Sequence, residues 1–559
     1  MYKVPNNVSH LMKRPFKSGV SYVLFTLILA IYFSLVVNIP IYADLYAIFN
    51  NIDAVKIGFV LSIPIFFGAT LNFLFNLFSW PVIAKPFFII LLILSSIVSY
   101  AGYNYGTLFD YNMITNIVET DSGEAGSYLS SYSVLWVVLM GIIPALIVFM
   151  IPIGIKQSPA KMLSMKLVSM ALSLVVIAVI AALYYQDYSS VGRNNRYLKK
   201  AIIPTQFVYS TTDYIWKTFL SVPLEYRQIG LDAKQTDSTL AASKKKPTLM
   251  VLVVGETARS QNYELNGYPR DTNEYTRDLG IISFKNVSSC GTATAVSVPC
   301  MFSSMTKNEF NRDVADNQDN LLDILKRANI ALLWKENDGG DKNVAARIDK
   351  VTIERSNKNE FCDGTTCYDM ALLDNLEQDI DSLEGNRMII LHIMGSHGPT
   401  YYKRYPAEMT KFKPDCPRSD IENCSIEEIV NTYDNTILYT DYVVSNVISK
   451  LEKLEDKYNT SLIYISDHGE SLGENGMFLH GMPYSFAPDY QTKVPLMVWM
   501  SEGFKETRNI NRECIKKEAD NNQYSHDNIF HSILGVMEVE TSDYKNSLDI
   551  FSSCKGQNS

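Results

Sequence analysis

Glu256, His397, Asp467 and His468 each close a short apolar run: PTLMVLVVGET to Glu256, RMIILHIMGSHG to His397, and SLIYISDHGE to Asp467 and His468. Carboxylates and imidazoles together suit a hard to borderline divalent cation such as zinc. His480, in FLHGMP, adds another imidazole in a chain that has only seven histidines. Each run is β-rich and bounded by polar residues, as expected of a strand buried on both faces of a parallel sheet. The carboxyl ends of such strands line the ligand crevice of open α/β sheets, so segments distant in sequence can meet there. Taken alone, Glu256 after Gly255 reads equally as a helix-start carboxylate, and spacing leaves His397 and His480 open. Asp467 and His468 are harder to explain by packing, because charged groups at a strand end need partners.

A nucleophile candidate lies in SSCGTATAVSVPCMFSSM. Gly291 precedes Thr292, and a helix starting here would turn backbone N–H groups toward a phosphate held at the threonine hydroxyl. A Cys290–Cys300 bridge would hold that turn. A free threonine hydroxyl is a poor nucleophile, but coordination to a dication lowers its pKa. The plainer reading of Thr292 is an ordinary helix cap. A further stripe comes from MITNIVETDSGEAG, where Asn116, Thr120 and Glu124 fall at i, i+4 and i+8 if one helix continues past Gly123. Near a membrane it suits an ammonium headgroup; otherwise it is a solvated face.

The elements that must position these residues fall into two unlike parts. Five apolar segments, near 19–38, 57–79, 82–101, 133–155 and 165–185, each approach the roughly 20 residues that a bilayer core requires. Lys3, Lys13, Arg14 and Lys17 precede the first, and Lys156, Lys161 and Lys166 join the fourth and fifth. The connection from Gly102 to Ser131 has no Lys or Arg but holds Asp110, Glu119, Asp121 and Glu124. The positive-inside rule therefore puts the N-terminus in the cytoplasm and everything after Tyr185 outside. Four further apolar segments after the first argue against a cleaved signal peptide. All eight cysteines, Cys290, Cys300, Cys362, Cys367, Cys416, Cys424, Cys514 and Cys554, lie in the exported part, in keeping with an oxidising compartment. Nearest-neighbour pairing is the reading adopted for them, although the sequence does not choose among connectivities, and cysteine-ligated zinc is the alternative. A net charge of −9 and the absence of a basic aromatic stripe argue against nucleic acid as a partner.

Residues 1–185 thus form a membrane domain, and 186–246 a bridge of bases and aromatics suited to a bilayer interface or to a plain linker. Residues 247–559 form a globular α/β domain. There strand-like runs such as ALLW at 331–334 and VPLMVW at 494–499 alternate with helical stretches such as NLLDILKRAN and NTILYTDYVVSNVISKLEKL. The alternation predicts a mostly parallel central sheet covered by helices.

The five spans, followed by VVGETARSQNYELNGYPRDTNEYT, SSCGTATAVSVPCMFS, MGSHGPTYYKRYP, YISDHGESLGENGMFLHG and VPLMVW, resemble the lipid A phosphoethanolamine transferases over essentially the whole chain. That family belongs to the alkaline phosphatase and sulfatase superfamily and includes relatives of the mobile colistin-resistance enzymes. The resemblance implies a monomeric bacterial inner-membrane enzyme with a periplasmic catalytic domain of alkaline phosphatase/sulfatase-like fold. It implies Thr292 as nucleophile, with Glu256, Thr292, Asp467 and His468 as ligands of one tightly held zinc. His397 and His480 match histidines that bind a second zinc during turnover or the transferred phosphate. Asn116, Thr120 and Glu124 match residues at the donor's ethanolamine end, and Lys342 a base near the substrate phosphate. Asp338 stands where relatives often carry Asn, which leaves that contact open. The pairs Cys290–Cys300, Cys362–Cys367 and Cys416–Cys424 fit the family pattern, and Cys514–Cys554 completes the set. The implied reaction moves phosphoethanolamine from phosphatidylethanolamine to a lipid A phosphate through a phosphoethanolamine–Thr292 intermediate. Diacylglycerol is released, and attraction for polymyxins and other cationic peptides falls. Transfer to core sugar, glucan or protein, transfer of phosphoglycerol, a phosphatase or sulfatase-type hydrolase, and a non-catalytic scaffold are the rival readings.

Overall fold

The computed structural model describes residues 19–50, 55–120, 122–154, 158–222 and 224–556, without the side chains of Ser122 and Glu124. Lys3, Lys13, Arg14, Lys17, Asp121, Ile155 and Lys156, used above for topology, lie outside the described residues. The chain divides into two compact units: Met1–Phe109 with Ser130–Thr212, and Asp110–Leu129 with Asp213–Ser559.

Among the described residues of the first unit, Ile57–Phe78, Ala84–Tyr105, Ser131–Met150 and Pro159–Asn194 are long and apolar enough to cross a membrane. The first predicted span is instead a pair, Tyr22–Val37 and Ile39–Asn50, bent by 51°. The break has a local cause: the Asn38 side-chain amide donates to the Phe33 carbonyl at 2.9 Å, and Pro40, two residues on, has no N–H to continue the ladder. Counted as one span, this pair makes five. The helix Ile57–Phe78 packs on Pro159–Asn194 through Asn72, whose amide reaches the hydroxyls of Ser169 at 3.0 Å and Ser173 at 2.9 Å. Such polar links matter in lipid, where apolar contact between helices gains little over contact with acyl chains. Leu167, Leu172, Val175 and Leu183 of the long helix are exposed, as expected of an apolar surface turned to lipid.

The second unit is built on a seven-stranded sheet. Its strands are β1 (Thr248–Gly255), β2 (Ile282–Phe284), β3 (Ala331–Glu336), β4 (Asp349–Thr352), β5 (Arg387–His392), β6 (Asn459–Ser466) and β7 (Leu496–Met500). The spatial order is β2-β7-β6-β1-β5-β3-β4. Only β7 runs against its neighbours; the β6-β1-β5-β3-β4 block is parallel. The mostly parallel sheet expected from the apolar runs is present, and every residue of β1, β5 and β6 is buried. The stretch NTILYTDYVVSNVISKLEKL lies in the helix Ile426–Lys453, opened by a capping box between Ser425 and Glu428. NLLDILKRAN contains the helix Leu321–Arg327. All four nearest-neighbour disulfides are formed: Cys290–Cys300, Cys362–Cys367, Cys416–Cys424 and Cys514–Cys554. Within the predicted bridge lie the helices Leu198–Ala201 and Thr205–Ile215, followed by a π turn over Trp216–Leu220.

Candidate active site

The sheet brings its chemistry to one end. β1 and β6 are adjacent and parallel, with Gly255 opposite Ser466, so the residues that follow, Glu256 and Asp467–His468, emerge side by side. The Asp467 N–H donates to the Gly255 carbonyl at 2.9 Å, and the Ala258 N–H to the Ser466 hydroxyl at 2.8 Å. These bonds close the two turns on each other. Asp467 Oδ1 accepts from the N–H groups of Thr257 at 3.0 Å and His468 at 2.7 Å, which leaves Oδ2 facing the cluster as a buried atom without a hydrogen-bond partner. His468 Nε2 lies 3.2 Å from Asp467 Oδ2 and 3.5 Å from Glu256 Oε1. Glu256, Asp467 and His468 are fully buried, and one ligand atom from each lies within 4.8 Å of the others.

The electrostatics are those of a site built for positive charge. Burial, then the neighbouring Asp467 and Asp338, push the Glu256 carboxyl well above its ordinary range, and burial pushes Asp467 up to about 7. Burial and the facing His480 hold His468 well below the usual histidine value. Its Nδ1 lies 2.9 Å from the Gly469 carbonyl, so that nitrogen carries the proton and Nε2 offers a lone pair to the cluster. A neutral imidazole, two carboxylates and an orphaned carboxylate oxygen together make a donor set that a zinc-like dication fits.

The threonine that joins this cluster is Thr294, not Thr292. Thr294 Oγ1 lies 3.2 Å from Glu256 Oε2 and 3.5 Å from His468 Nε2, and Thr294 is the first residue of the helix Thr294–Met301. The Thr292 hydroxyl instead donates to the Met482 carbonyl at 2.6 Å. It borders a separate cavity of about 60 Å³ with Asp110, Met113, Gly481 and Tyr484. The expectation for Thr292 is corrected for a physical reason. The helix starts two residues later than Thr292, because Ala293, extended at φ −149° and ψ 145°, occupies the cap position with no side chain to cap.

His397 and His480 do approach the cluster. His397 Nε2 is 4.0 Å from Glu256 Oε1, and the ring centroids of His468 and His480 are 4.4 Å apart. Glu470, absent from the sequence expectations, holds His480 Nδ1 at 3.2 Å and accepts from the Tyr401 hydroxyl at 3.0 Å. The DHGE motif contained that signal, since its glutamate follows two ligand residues.

The stripe Asn116, Thr120 and Glu124 is not one helix face. The helix Tyr111–Glu119 ends with Thr120 extended, and a separate short helix, Ser122–Ser127, follows; the Glu124 side chain lies outside the described residues. Thr120 Oγ1 turns back to the Asn116 carbonyl at 2.7 Å. Glu119, which the sequence did not single out, pairs with Arg312 at 3.1 Å. Lys342 is buried, and its ammonium lies 3.4 Å from the Glu119 carbonyl. Asp338 and His392 form a second buried group with Glu256.

Comparison with known proteins agrees with this architecture. Residues 67–219 match the family described as "Phosphoethanolamine transferase EptA/EptB", and residues 248–539 match the sulfatase family. The chain is 37% identical to phosphoethanolamine transferase EptA of Escherichia coli strain K12, over 98% of this chain and 99% of that one. It is 33% identical to phosphatidylethanolamine transferase Mcr-1 from Escherichia coli, over 88% of this chain and 90% of that one. The solved structure of the integral membrane lipooligosaccharide phosphoethanolamine transferase A from Neisseria meningitidis superposes with a TM-score of 0.91 at 35% identity, covering 96% of this chain and 99% of that one. A sulfatase-like domain and an apolar helical unit in one chain, with 37% identity to such an enzyme over nearly its whole length, mean that the chain belongs to the phosphoethanolamine transferase family.

Proposed function

We propose that the enzyme moves phosphoethanolamine from phosphatidylethanolamine to a phosphate of lipid A, with Thr294 carrying the group between donor and acceptor. The observation that carries this reading is the Thr294 hydroxyl at the start of a helix, 3.2 Å from the Glu256 carboxylate and 3.5 Å from the His468 imidazole. Lipid A as acceptor is supported by the near full-length likeness to the Neisseria meningitidis lipooligosaccharide transferase. A periplasmic position for residues 247–559, with 1–185 in the inner membrane and 186–246 as the bridge, is supported by four disulfides in the second unit and by the distribution of Lys and Arg.

Glu256, Thr294, Asp467 and His468 would hold one zinc ion. Zinc bound there supplies positive charge that lowers the pKa of a neighbouring hydroxyl and neutralises charge on a phosphoryl group. Thr294 Oγ forms a bond to phosphorus as the phosphorus–oxygen bond to diacylglycerol breaks, in line. Glu256 Oε2, which accepts the Thr294 hydrogen bond, takes and holds the Thr294 proton, while the departing diacylglycerol oxygen takes a proton from solvent on the opposite side of phosphorus. In the first turn of Thr294–Met301 the Val296 and Ser297 N–H groups already donate to the Ala293 carbonyl, so those of Thr294 and Ala295 are the ones placed to meet phosphoryl oxygens. His480, pinned at Nδ1 by Glu470, keeps Nε2 available to the same oxygens, and His397 completes that wall. Asn116, Thr120 and Glu124 are the proposed contacts of the donor's ethanolamine end, and Lys342 that of the substrate phosphate. In the second step an oxygen of a lipid A phosphate bonds to phosphorus as the Thr294 Oγ–phosphorus bond breaks, and Glu256 returns the proton to Thr294.

The intermediate can be tested directly. Purified full-length enzyme incubated with phosphatidylethanolamine and no acceptor is digested and its peptides weighed. Phosphoethanolamine is expected on Thr294, and none forms in Thr294→Ala. A modified peptide carrying the group on Thr292 would overturn the assignment.

A further inference from the structure

Helices of the first unit enclose a groove that the transfer chemistry does not use. Ile57–Phe78 packs against both Tyr22–Val37 and Pro159–Asn194, which touch each other less, so the outer two stand apart above it. Between them lies a cavity of about 770 Å³, within the roughly 300–1,000 Å³ of ordinary ligand sites. Its floor is low because Gly68 and Ala69 are small; a Cβ added at Gly68 would meet only the Ser34 Cβ, at 3.9 Å. Leu27, Ile31 and Leu35 form one wall and Val168 and Leu172 the other, all of them exposed. Polar groups in the lining are already bonded. The Asn72 amide donates to the Ser169 and Ser173 hydroxyls, and the Ser34 hydroxyl donates to the Pro64 carbonyl at 2.8 Å. A surface of this kind takes hydrocarbon rather than a polar ligand.

Length and charge identify the occupant. Along the long helix the groove runs from Ser164 to Val176, about 18 Å at about 1.5 Å per residue. That is slightly more than half of the roughly 30 Å hydrocarbon core, the depth of one leaflet. Trp80 marks the membrane edge at one end: it is partly exposed, and the Lys166 ammonium lies 3.9 Å from its ring. Lys166 is itself buried and donates to the Ser79 carbonyl at 3.2 Å. Farther out on the same helix Lys161 is exposed, and its spacing to Ser164, Met165, Val168 and Leu172 is that of one helix face. No Asp or Glu occurs before Asp44, between Ile57 and Phe109 or between Ser131 and Gln186, so this end offers positive charge alone. We propose that the groove holds one acyl chain of an anionic glycerophospholipid, with the lipid phosphate at Lys161. Basic residues at helix ends attract anionic headgroups, and three helices confine a chain that a smooth bundle would leave to exchange. By the positive-inside rule this end faces the cytoplasm, so the lipid is a structural ligand of the inner leaflet and not the donor. The proposal does not rest on the reading of Thr294.

Retention of lipid tests it. Full-length parent, Gly68→Leu, Val168→Trp and Lys161→Gln proteins in detergent are stripped of lipid, incubated with phosphatidylglycerol or with zwitterionic phosphatidylcholine, washed in detergent and weighed intact by native mass spectrometry. The parent is expected to retain about one phosphatidylglycerol per chain and less phosphatidylcholine. Gly68→Leu raises the floor, and Val168→Trp fills the groove from its exposed wall without entering the helix packing; both are expected to lose the retained lipid. Lys161→Gln is expected to lower phosphatidylglycerol retention to that of phosphatidylcholine. Circular dichroism checks the helix content of each variant. A parent that retains no phosphatidylglycerol, or retains both lipids equally, overturns the proposal, as does equal phosphatidylglycerol retention by parent and Val168→Trp. Phosphatidylglycerol with a photoreactive acyl chain gives a measurement on the parent alone. Cross-links are expected in Ile57–Phe78 at Gly68 or Ala69, and label confined to other helices after the wash overturns the proposal.

Discussion

Two threonines separated by one alanine have opposite surroundings in this enzyme: Thr294 faces a glutamate and a histidine, and Thr292 is tied to the Met482 carbonyl. Their difference depends on His526 as well, which holds the turn from beneath. Its Nδ1 accepts from the Cys290 N–H at 3.1 Å and its Nε2 lies 2.9 Å from the Ser466 carbonyl, so the ring is neutral with the proton on Nε2. Burial drives its pKa down from 6.5 to about 4. The unfolded chain therefore binds this proton more readily than the native one. The stabilisation is complete above pH 6.5, falls as the pH drops toward 4, and amounts to about 3 kcal/mol in all. The melting temperature of the detergent-solubilised parent should fall more steeply between pH 7 and pH 5 than that of His526→Gln; equal slopes would contradict this. The clustered residues Glu256, Asp467 and His468 were legible in the sequence because each ends an apolar strand. Thr294 was not, because helix starts are read from capping side chains and Ala293 offers none, so Thr292 took the part. His392 was hidden for the converse reason: inside RMIILHIM it reads as a core residue, and only pairing with the β3 strand reveals Glu336 beside it.

At the scale of elements, the parallel sheet could be foreseen because its strands are buried on both faces and read as unbroken apolar runs. The antiparallel direction of β7 could not, since strand direction leaves no mark on such a run. The turns after the strands are equally specific. Gly395, between β5 and His397, has φ +51°, and a Cβ there would stand 2.7 Å from the Glu256 carbonyl oxygen. Gly395→Ala should therefore shift Glu256, lowering zinc content and transfer together and costing about 1–3 kcal/mol of stability. Gly340→Ala is the control: its φ is +102°, but nothing lies within 4 Å of the added carbon, so only the backbone strain is introduced and zinc content should match the parent. Equal zinc loss in both variants would show that backbone strain, and not the contact with Glu256, is responsible. The bend at Asn38 was also missed, because hydropathy is continuous through it and the cause is one amide and one proline.

For the whole molecule, the division into an apolar helical part and a charged globular part was readable from composition, while the sulfatase-like character of the second rested on the resemblance of its motifs. The assignment of Asp110–Leu129 was not: the segment lies between apolar helices in sequence yet belongs to the second unit, held there by contacts such as Glu119 with Arg312. A helix that ends at Thr120 spoils the i, i+4, i+8 stripe, and no periodicity could have pointed to Glu119. The segment places polar residues of the Gly102–Ser131 connection in the unit that also holds Thr294, so the proposed headgroup contacts and the proposed nucleophile belong to one unit. The role of Thr294 is tested by mass spectrometry of lipid A from Gram-negative cells producing the parent, Thr292→Ala or Thr294→Ala enzyme at matched levels. A phosphoethanolamine addition is expected with the parent and with Thr292→Ala, and none with Thr294→Ala. Addition by Thr294→Ala, or its loss in Thr292→Ala alone, would contradict it.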